Sequence, residues 1–190
     1  PSSFLYYVAF DQKVEKLLHH NLFFDTDFEQ HAVEIYDEPQ LPKNPLFYAN
    51  FSSITDPDLA PEGKEVGFFL IPVAVDLEDN QNVHDRYFEL IMDRIQKNTD
   101  VDLRKHVLFK KSFGVKDFKE RYHSCRGNAY GLANTLLQTS ILRPQIDNKK
   151  IKNLFYTGQL TVPGPGVPPA LISGKVVTDY ILKNQHRILK

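Results

Sequence analysis

Two runs near the end of the chain hold the residues best suited to chemistry: Asn153-Leu-Phe-Tyr-Thr-Gly-Gln159 and Val162-Pro-Gly-Pro-Gly-Val-Pro-Pro-Ala-Leu-Ile-Ser-Gly174. Neither offers a nucleophile with its base. What they offer is backbone. The apolar core of 151–157, Leu154, Phe155 and Tyr156, has the length of a buried strand. Gly158 ends it, where a residue without Cβ takes positive φ and lets a ligand approach. Four prolines and two glycines between Val162 and Pro169 exclude a regular helix or a central strand. From Pro168 or Pro169 the pattern turns helical, and proline in a first turn gives up only an N–H that lacks a helical partner. The start of that helix carries partial positive charge and suits a group that becomes negative during reaction. Strand, Gly/Pro crossing and helix together fit the approach of backbone to a large, flat, anionic cofactor.

Other constellations carry less. His19 and His20 with Asp25 and Asp27 resemble a ligand set but lack zinc-site spacing, so no metal is assigned. His84, His106, His123 and His186 are scattered, and no Gly-x-Ser-x-Gly elbow accompanies them. The single cysteine, Cys125, precludes an intrachain disulfide and fits a reducing compartment; with no base assigned to it, it reads as a small passive side chain.

The elements that must position these residues form an α+β pattern with an antiparallel or mixed sheet and packed helices. Strands are expected at 3–10, 45–52, 66–74, 107–112 and 152–157, and helices at 28–36, 84–97, 116–124, 128–138 and 168–186. Tyr87, Leu90, Ile91 and Ile95 mark the core face of the second helix. Asp85, Arg86, Glu89, Asp93 and Arg94 mark a solvated one. In the last helix Ala170, Ser173, Gly174, Val177 and Ile181 share a face, with Lys175, Asp179 and Lys183 on another. Gly127 and Gly131 would share a face of the fourth helix. Phe4, Tyr6, Tyr7, Phe23, Phe24, Phe47, Tyr48, Phe68 and Phe69 divide between a core and the lining of an apolar channel, with the core favoured for any single ring. The Asp147-Asn-Lys-Lys150 turn is the best point for the chain to pass between domains.

Composition narrows the function classes. A net charge of −1 gives no clustered cation for phosphates, and nucleic acid is not expected as a partner. The apolar run 66–75 is too short to span a bilayer and contains Pro72; it reads as a buried or edge strand. The chain opens at Pro1 inside a strand pattern and contains no Gly-x-Gly-x-x-Gly, the fingerprint of a dinucleotide site. The expectation is a C-terminal portion whose N-terminal dinucleotide-binding part is absent.

The two C-terminal runs, with Gly127-Asn-Ala-Tyr-Gly-Leu-Ala-Asn-Thr-Leu-Leu-Gln-Thr139 and Arg143-Pro144, resemble the C-terminal region of bacterial-type phytoene desaturases. These are carotenoid-pathway members of the FAD-dependent amine-oxidase-like superfamily. The likeness runs from Ser3 to Ile181. It implies a substrate-domain portion over 1–150 and a return segment of the FAD-binding domain over 151–190. It implies FAD contacts from Gly158, Gln159 and the Gly166-Val167-Pro168 turn, with Ala170 packed nearby. Gln159 stands where many superfamily members have an acidic residue, so a charged role does not carry over.

The implied activity is desaturation of a long isoprenoid such as phytoene by hydride transfer to flavin, with no catalytic side chain assigned. The portion alone is expected to be inactive and not to retain FAD. An apolar carotenoid substrate, a cytoplasmic location and contact with a membrane surface are implied as well. Lys149, Lys150 and Lys152 could touch such a surface, though a solvated turn is the simpler reading. A carotenoid isomerase, saturase or ketolase remains open within the same architecture, as does a flavin-free carrier or interaction module for apolar ligands.

Overall fold

A computed structural model describes residues 1–132, 136–139 and 142–185. The described residues form an α+β structure in two compact units, 1–129 and 130–190.

The first unit is built on a five-stranded antiparallel sheet. Its strands are β1 (Ser2–Phe10), β2 (His20–Phe23), β3 (Phe47–Asn50), β4 (Glu65–Val73) and β5 (Val107–Phe113), in the order β2-β3-β4-β1-β5. Alternation in β1 and β4 sends Phe4, Tyr6, Val8 and Phe10, with Phe69, Ile71 and Val73, to one face, where all are buried. Gly67 of β4 leaves room for the Phe10 ring, which a Cβ there would meet at 2.8 Å. Pro72 lies beyond the part of β4 paired with β3, where the strand has only β1 beside it.

Helix α2 (Gln81–Thr99) covers this face. Asn80 caps it by accepting the Val83 N–H at 3.0 Å, and Asp100 ends it in the left-handed conformation. Tyr87, Phe88, Ile91, Met92 and Ile95 are buried, and Tyr87 packs on Phe4 with ring centres 5.4 Å apart. The expected polar face needs one correction. Arg94 is not solvated: its guanidinium lies 4.7 Å from the centre of the Phe47 ring, pairs with Asp25 and donates to the Pro45 carbonyl. Helix α1 (Phe28–Tyr36) begins at Asp27, which accepts the Gln30 N–H at 3.1 Å. It buries His31, whose Nε2 donates to the Pro72 carbonyl at 3.0 Å and whose Nδ1 accepts the Leu46 N–H at 3.1 Å.

Helix α3 (Val115–Tyr122) follows β5. Buried Asp79 links its start to α2, bonding to both His84 Nε2 and the Lys116 N–H. Burial alone would raise the Asp79 carboxyl, but those two hydrogen bonds, with the His84 and Lys116 charges, outweigh it and hold the group below the usual carboxylate range.

Two expectations fail. The described residues of 128–138 form no α-helix; Gly127 and Gly131 have φ of +72° and +83°, outside any right-handed helix, and 136–138 forms one 3-10 turn. Residues 133–135 lie outside the described residues. The segment 152–157 is not a strand: its described pairing is one bridge, Phe155 with Asp147. The second unit's main element is α4 (Val167–Lys183), whose Ser173 and Val177 are its buried positions; residue 186 of the expected helix lies outside the described residues.

Candidate functional site

In the second unit the residues singled out around the Gly/Pro crossing meet through a serine. Gly158 has φ of +103°, and its N–H donates to Ser173 Oγ at 2.7 Å. Ser173 Oγ–H in turn donates to the Ala170 carbonyl at 2.6 Å, and the Ala170 N–H donates to the Gly166 carbonyl at 3.0 Å. Gly158, Ala170 and Gly166 are thus connected, although the two glycines stand eight positions apart. Ser173 has no solvent exposure, and its oxygen also takes the Thr157 hydroxyl at 2.8 Å. The Gly158 carbonyl is held by the Thr161 N–H and hydroxyl at 3.2 and 3.0 Å.

Around this set the backbone stays open. A Cβ at Gly158 would meet nothing within 4 Å, so that side is free space. Gly166, at φ +111°, caps α4 without a side-chain bond, and Val167 and Pro168 of its first turn are exposed. The two prolines narrow what that helix end can do. Pro168 and Pro169 have no N–H, and the Ala170 N–H is taken by Gly166, so Val167 is the first-turn residue whose amide is not already used within the helix. The macrodipole remains, but direct hydrogen bonding to a ligand there is restricted.

Gln159 is placed by its backbone. Arg143 Nη1 lies 3.4 Å from the Gln159 carbonyl oxygen, and a Cβ on Gly131 would meet that oxygen at 3.3 Å. Buried Arg143 also passes under Gly164, where a Cβ would come within 3.3 Å of the guanidinium. Neither Arg143 nor Ser173 carried an assigned role in the sequence. Ser173 is signalled as a small polar residue on the small-residue face of a helix, and Arg143 only as part of a family word.

A second feature lies wholly in the first unit. Opposite the core, the sheet has a face that α3 covers only at its Phe113 end, where the Phe118 and Tyr122 rings lie 4.9 and 6.2 Å from that of Phe113. Register sets Asn50, Phe68, Tyr7 and Lys111 in one row across it, with Tyr48, Leu70, Leu5 and Phe113 in the next. Tyr7 is 46% exposed, whereas its neighbour Tyr6 is 0% exposed, so alternation divides the aromatic residues. Phe4, Tyr6, Phe23, Phe47 and Phe69 join the core; Tyr7, Tyr48 and Phe68 line the open face; Phe24 lies exposed beyond β2. A groove of about 340 Å³ runs along this face between Tyr7, Phe68, Phe109, Val66 and Asn50.

The metal-like set disperses. His19 bonds to the Thr55 hydroxyl at 2.5 Å and His20 to the Tyr48 hydroxyl at 2.6 Å, Asp25 pairs with Arg94, and Asp27 caps α1. Cys125 is exposed. Among the described residues no helix is long and apolar enough to cross a membrane.

A comparison with protein-family models finds no match. Among curated proteins, the chain is 41% identical over 184 residues to a carotenoid 3,4-desaturase of Haloarcula japonica, covering 97% of this chain and 37% of that protein. It is 31% identical over 183 residues to a 4,4'-diapolycopen-4-al dehydrogenase of Metabacillus indicus, covering 96% of this chain and 37% of that protein. It is also 31% identical over 195 residues to a zeta-carotene-forming phytoene desaturase of Myxococcus xanthus, covering 97% and 36%. The chain spans a little over a third of the length of these relatives. With carotenoid desaturases aligned along nearly all of its residues, the chain belongs to the phytoene desaturase family.

Proposed function

We propose that the chain is a C-terminal portion of an FAD-dependent carotenoid desaturase. On this reading residues 1–150 supply much of the substrate side and 151–190 return to the cofactor side. The substrate is a long apolar isoprenoid, the working location is the cytoplasmic side of a membrane surface, and the portion alone is inactive. The observation that carries the reading is the connected set Gly158–Ser173–Ala170–Gly166, in a chain so similar to carotenoid desaturases.

These residues fit the cofactor because a cradle of backbone is present where a side chain would intrude. Gly158 has open space where its Cβ would be, and Gly166 holds a positive φ at the helix start. Gly158, Gln159, Gly166, Val167 and Pro168 would contact FAD, with Ala170 packed nearby. FAD would supply the acceptor for a hydride while a neighbouring carbon of the polyene loses a proton.

The remaining work falls to the protein. Ser173 fixes the Gly158 amide and so holds the crossing in one shape. The partial positive charge at the start of α4 favours negative charge placed beside it. The open sheet face binds hydrocarbon by withdrawing Tyr7, Phe68 and Phe109 from water. No acid or base is assigned; positioning in a dry environment does that part of the work.

The test is anaerobic mixing of the purified complete protein with an acyclic carotenoid, followed by product analysis. Loss of oxidised flavin absorbance together with a product two hydrogens poorer supports the reading. An isomer of unchanged hydrogen count, a saturated product or a ketone would assign the related reactions instead. A protein that takes up the polyene but no flavin would be the carrier.

A further inference from the structure

One buried arginine reaches two separate parts of the Gly/Pro crossing in the second unit. Arg143 is 4% exposed, and its Nη1 donates to the Gln159 carbonyl at 3.4 Å. A Cβ built on Gly164 would lie 3.3 Å from Cζ, 3.3 Å from Nη2 and 3.4 Å from Nε of the same side chain. An approach in the plane of the guanidinium would bring its nitrogens closer than its central carbon. Near-equal distances therefore set Gly164 over the flat face, while the edge serves Gln159. Gly164 has φ of +139°, so glycine is needed there for backbone as well as for space. A third segment closes on the same carbonyl: a Cβ on Gly131 would meet the Gln159 oxygen and Leu160 Cδ2 at 3.3 Å each.

Those contacts fall among the groups assigned to the cofactor. Gln159 is itself one of them, and Gly164 stands two positions before Gly166. Ser173 ties the ends of this stretch, through the Gly158 N–H and, by way of Ala170, the Gly166 carbonyl. Arg143 ties its interior. A loop held at both ends and within has lost its freedom before a ligand arrives, so binding need not order it. Lysine would keep the charge, but it is a point donor with no flat face and cannot hold both segments at once.

We propose that Arg143 is a positioning residue for the flavin cofactor: it holds the crossing in the shape that lets Gly158, Gln159 and the Gly166-Val167-Pro168 turn meet FAD together. It acts through the backbone of Gln159 and Gly164 and need not touch the cofactor. Its loss should therefore show in FAD affinity and in the surroundings of the bound flavin, beyond any change in fold stability. This deepens the cofactor reading above and rests on it.

The test uses the complete protein with its flavin. Release of FAD on dilution, followed by flavin fluorescence, gives the dissociation constant, and visible circular dichroism is recorded with excess FAD. Arg143→Lys and Arg143→Ala should each weaken FAD binding roughly tenfold, about 1.4 kcal/mol. Both should also alter the flavin dichroism when every site is filled. Gly164→Ala, which keeps the arginine but lifts the loop from it, should do the same. In the Arg143→Ala background the further loss from Gly164→Ala should be several-fold smaller, because the collision is with the guanidinium. Lysine holding FAD as tightly as arginine with the parent dichroism overturns the proposal, as does a Gly164→Ala effect undiminished without the arginine. A lowered melting temperature with an unchanged filled-site spectrum would make Arg143 a fold residue only and also overturns it. If Arg143→Ala does not fold, Arg143→Lys and Gly164→Ala decide. If the unaltered protein holds no FAD, the inference fails together with the cofactor reading; if it holds FAD and the variants match it, only the inference fails.

Discussion

Ser173 Oγ accepts the Gly158 N–H at 2.7 Å from a position with no solvent exposure, across fifteen residues of chain. The bond joins the inner face of α4 to the glycine that opens the Gly/Pro crossing. Replacement by alanine removes the acceptor and leaves a Gly158 amide without its partner. Ser173→Ala should cost about 1–3 kcal/mol, read as a fall in denaturation midpoint. In the complete protein it should also lower the amount of FAD that survives gel filtration. A variant with unchanged stability and full flavin content would deny the serine this role.

The two glycines at the crossing should respond differently to small and large substitutions. Both have positive φ, so any side chain is strained there by roughly 1–3 kcal/mol. At Gly158 a methyl meets nothing within 4 Å, and Gly158→Ala should show that strain alone. Gly158→Val and Gly166→Val should add intrusion into the cofactor's space and lower flavin occupancy several-fold. Full occupancy and full activity in both valine variants would count against the assignment.

Buried His31 should make the fold sensitive to acid. Burial lowers its pKa more than the Pro72 carbonyl and Glu34 raise it, and its Nδ1 must stay unprotonated to accept the Leu46 N–H. The folded pKa lies below the unfolded one. Its contribution is therefore complete above the unfolded value, about 6.5, and is lost as pH falls through the folded value. Urea midpoints from pH 7 to pH 5 should fall in the parent protein and fall less in His31→Gln. The comparison between the two proteins isolates the histidine from the other titrating groups. Parallel pH profiles would contradict the assignment.

The two faces of the sheet predict opposite signatures for neighbouring phenylalanines. Phe69 is fully buried, and Phe69→Ala should cost about 3–5 kcal/mol. Phe68 is half-buried on the open face, so Phe68→Ser should cost less stability while weakening carotenoid binding. The pair of measurements is a denaturation midpoint and a dissociation constant for each variant. A loss of stability at Phe68 as large as at Phe69 would mean that the face is not open.

Much of this was legible because local pattern and tertiary partner agree. The alternation of β1 and β4, the core-facing spacing within α2 and the helix start at the prolines after Gly166 all follow from residue types, whereas α2 begins at Gln81, ahead of the expected 84. Strand β2 had no such signal: four residues are too few to show a period, and pairing with β3 makes it a strand. At 152–157 the apolar residues resemble a strand, but the described pairing there is a single bridge. At 128–138 the helical spacing of the glycines was misleading, because their left-handed backbone breaks the helix that the spacing suggests.

The site was legible to the same extent. Gly158, Gly166 and Ala170 stand out as residues, but their connection through Ser173 is tertiary. The bond between His20 and Tyr48 joins residues 28 positions apart, a distance at which no local pattern signals contact.

The central claim is that this chain completes an FAD-dependent desaturase. The most direct measurement is the visible spectrum of the purified complete protein, before and after anaerobic addition of an acyclic carotenoid. The account predicts one bound FAD per chain, bleached as the polyene gains a double bond. A protein without flavin after incubation with FAD, or a flavin left oxidised while the polyene is converted, would contradict it.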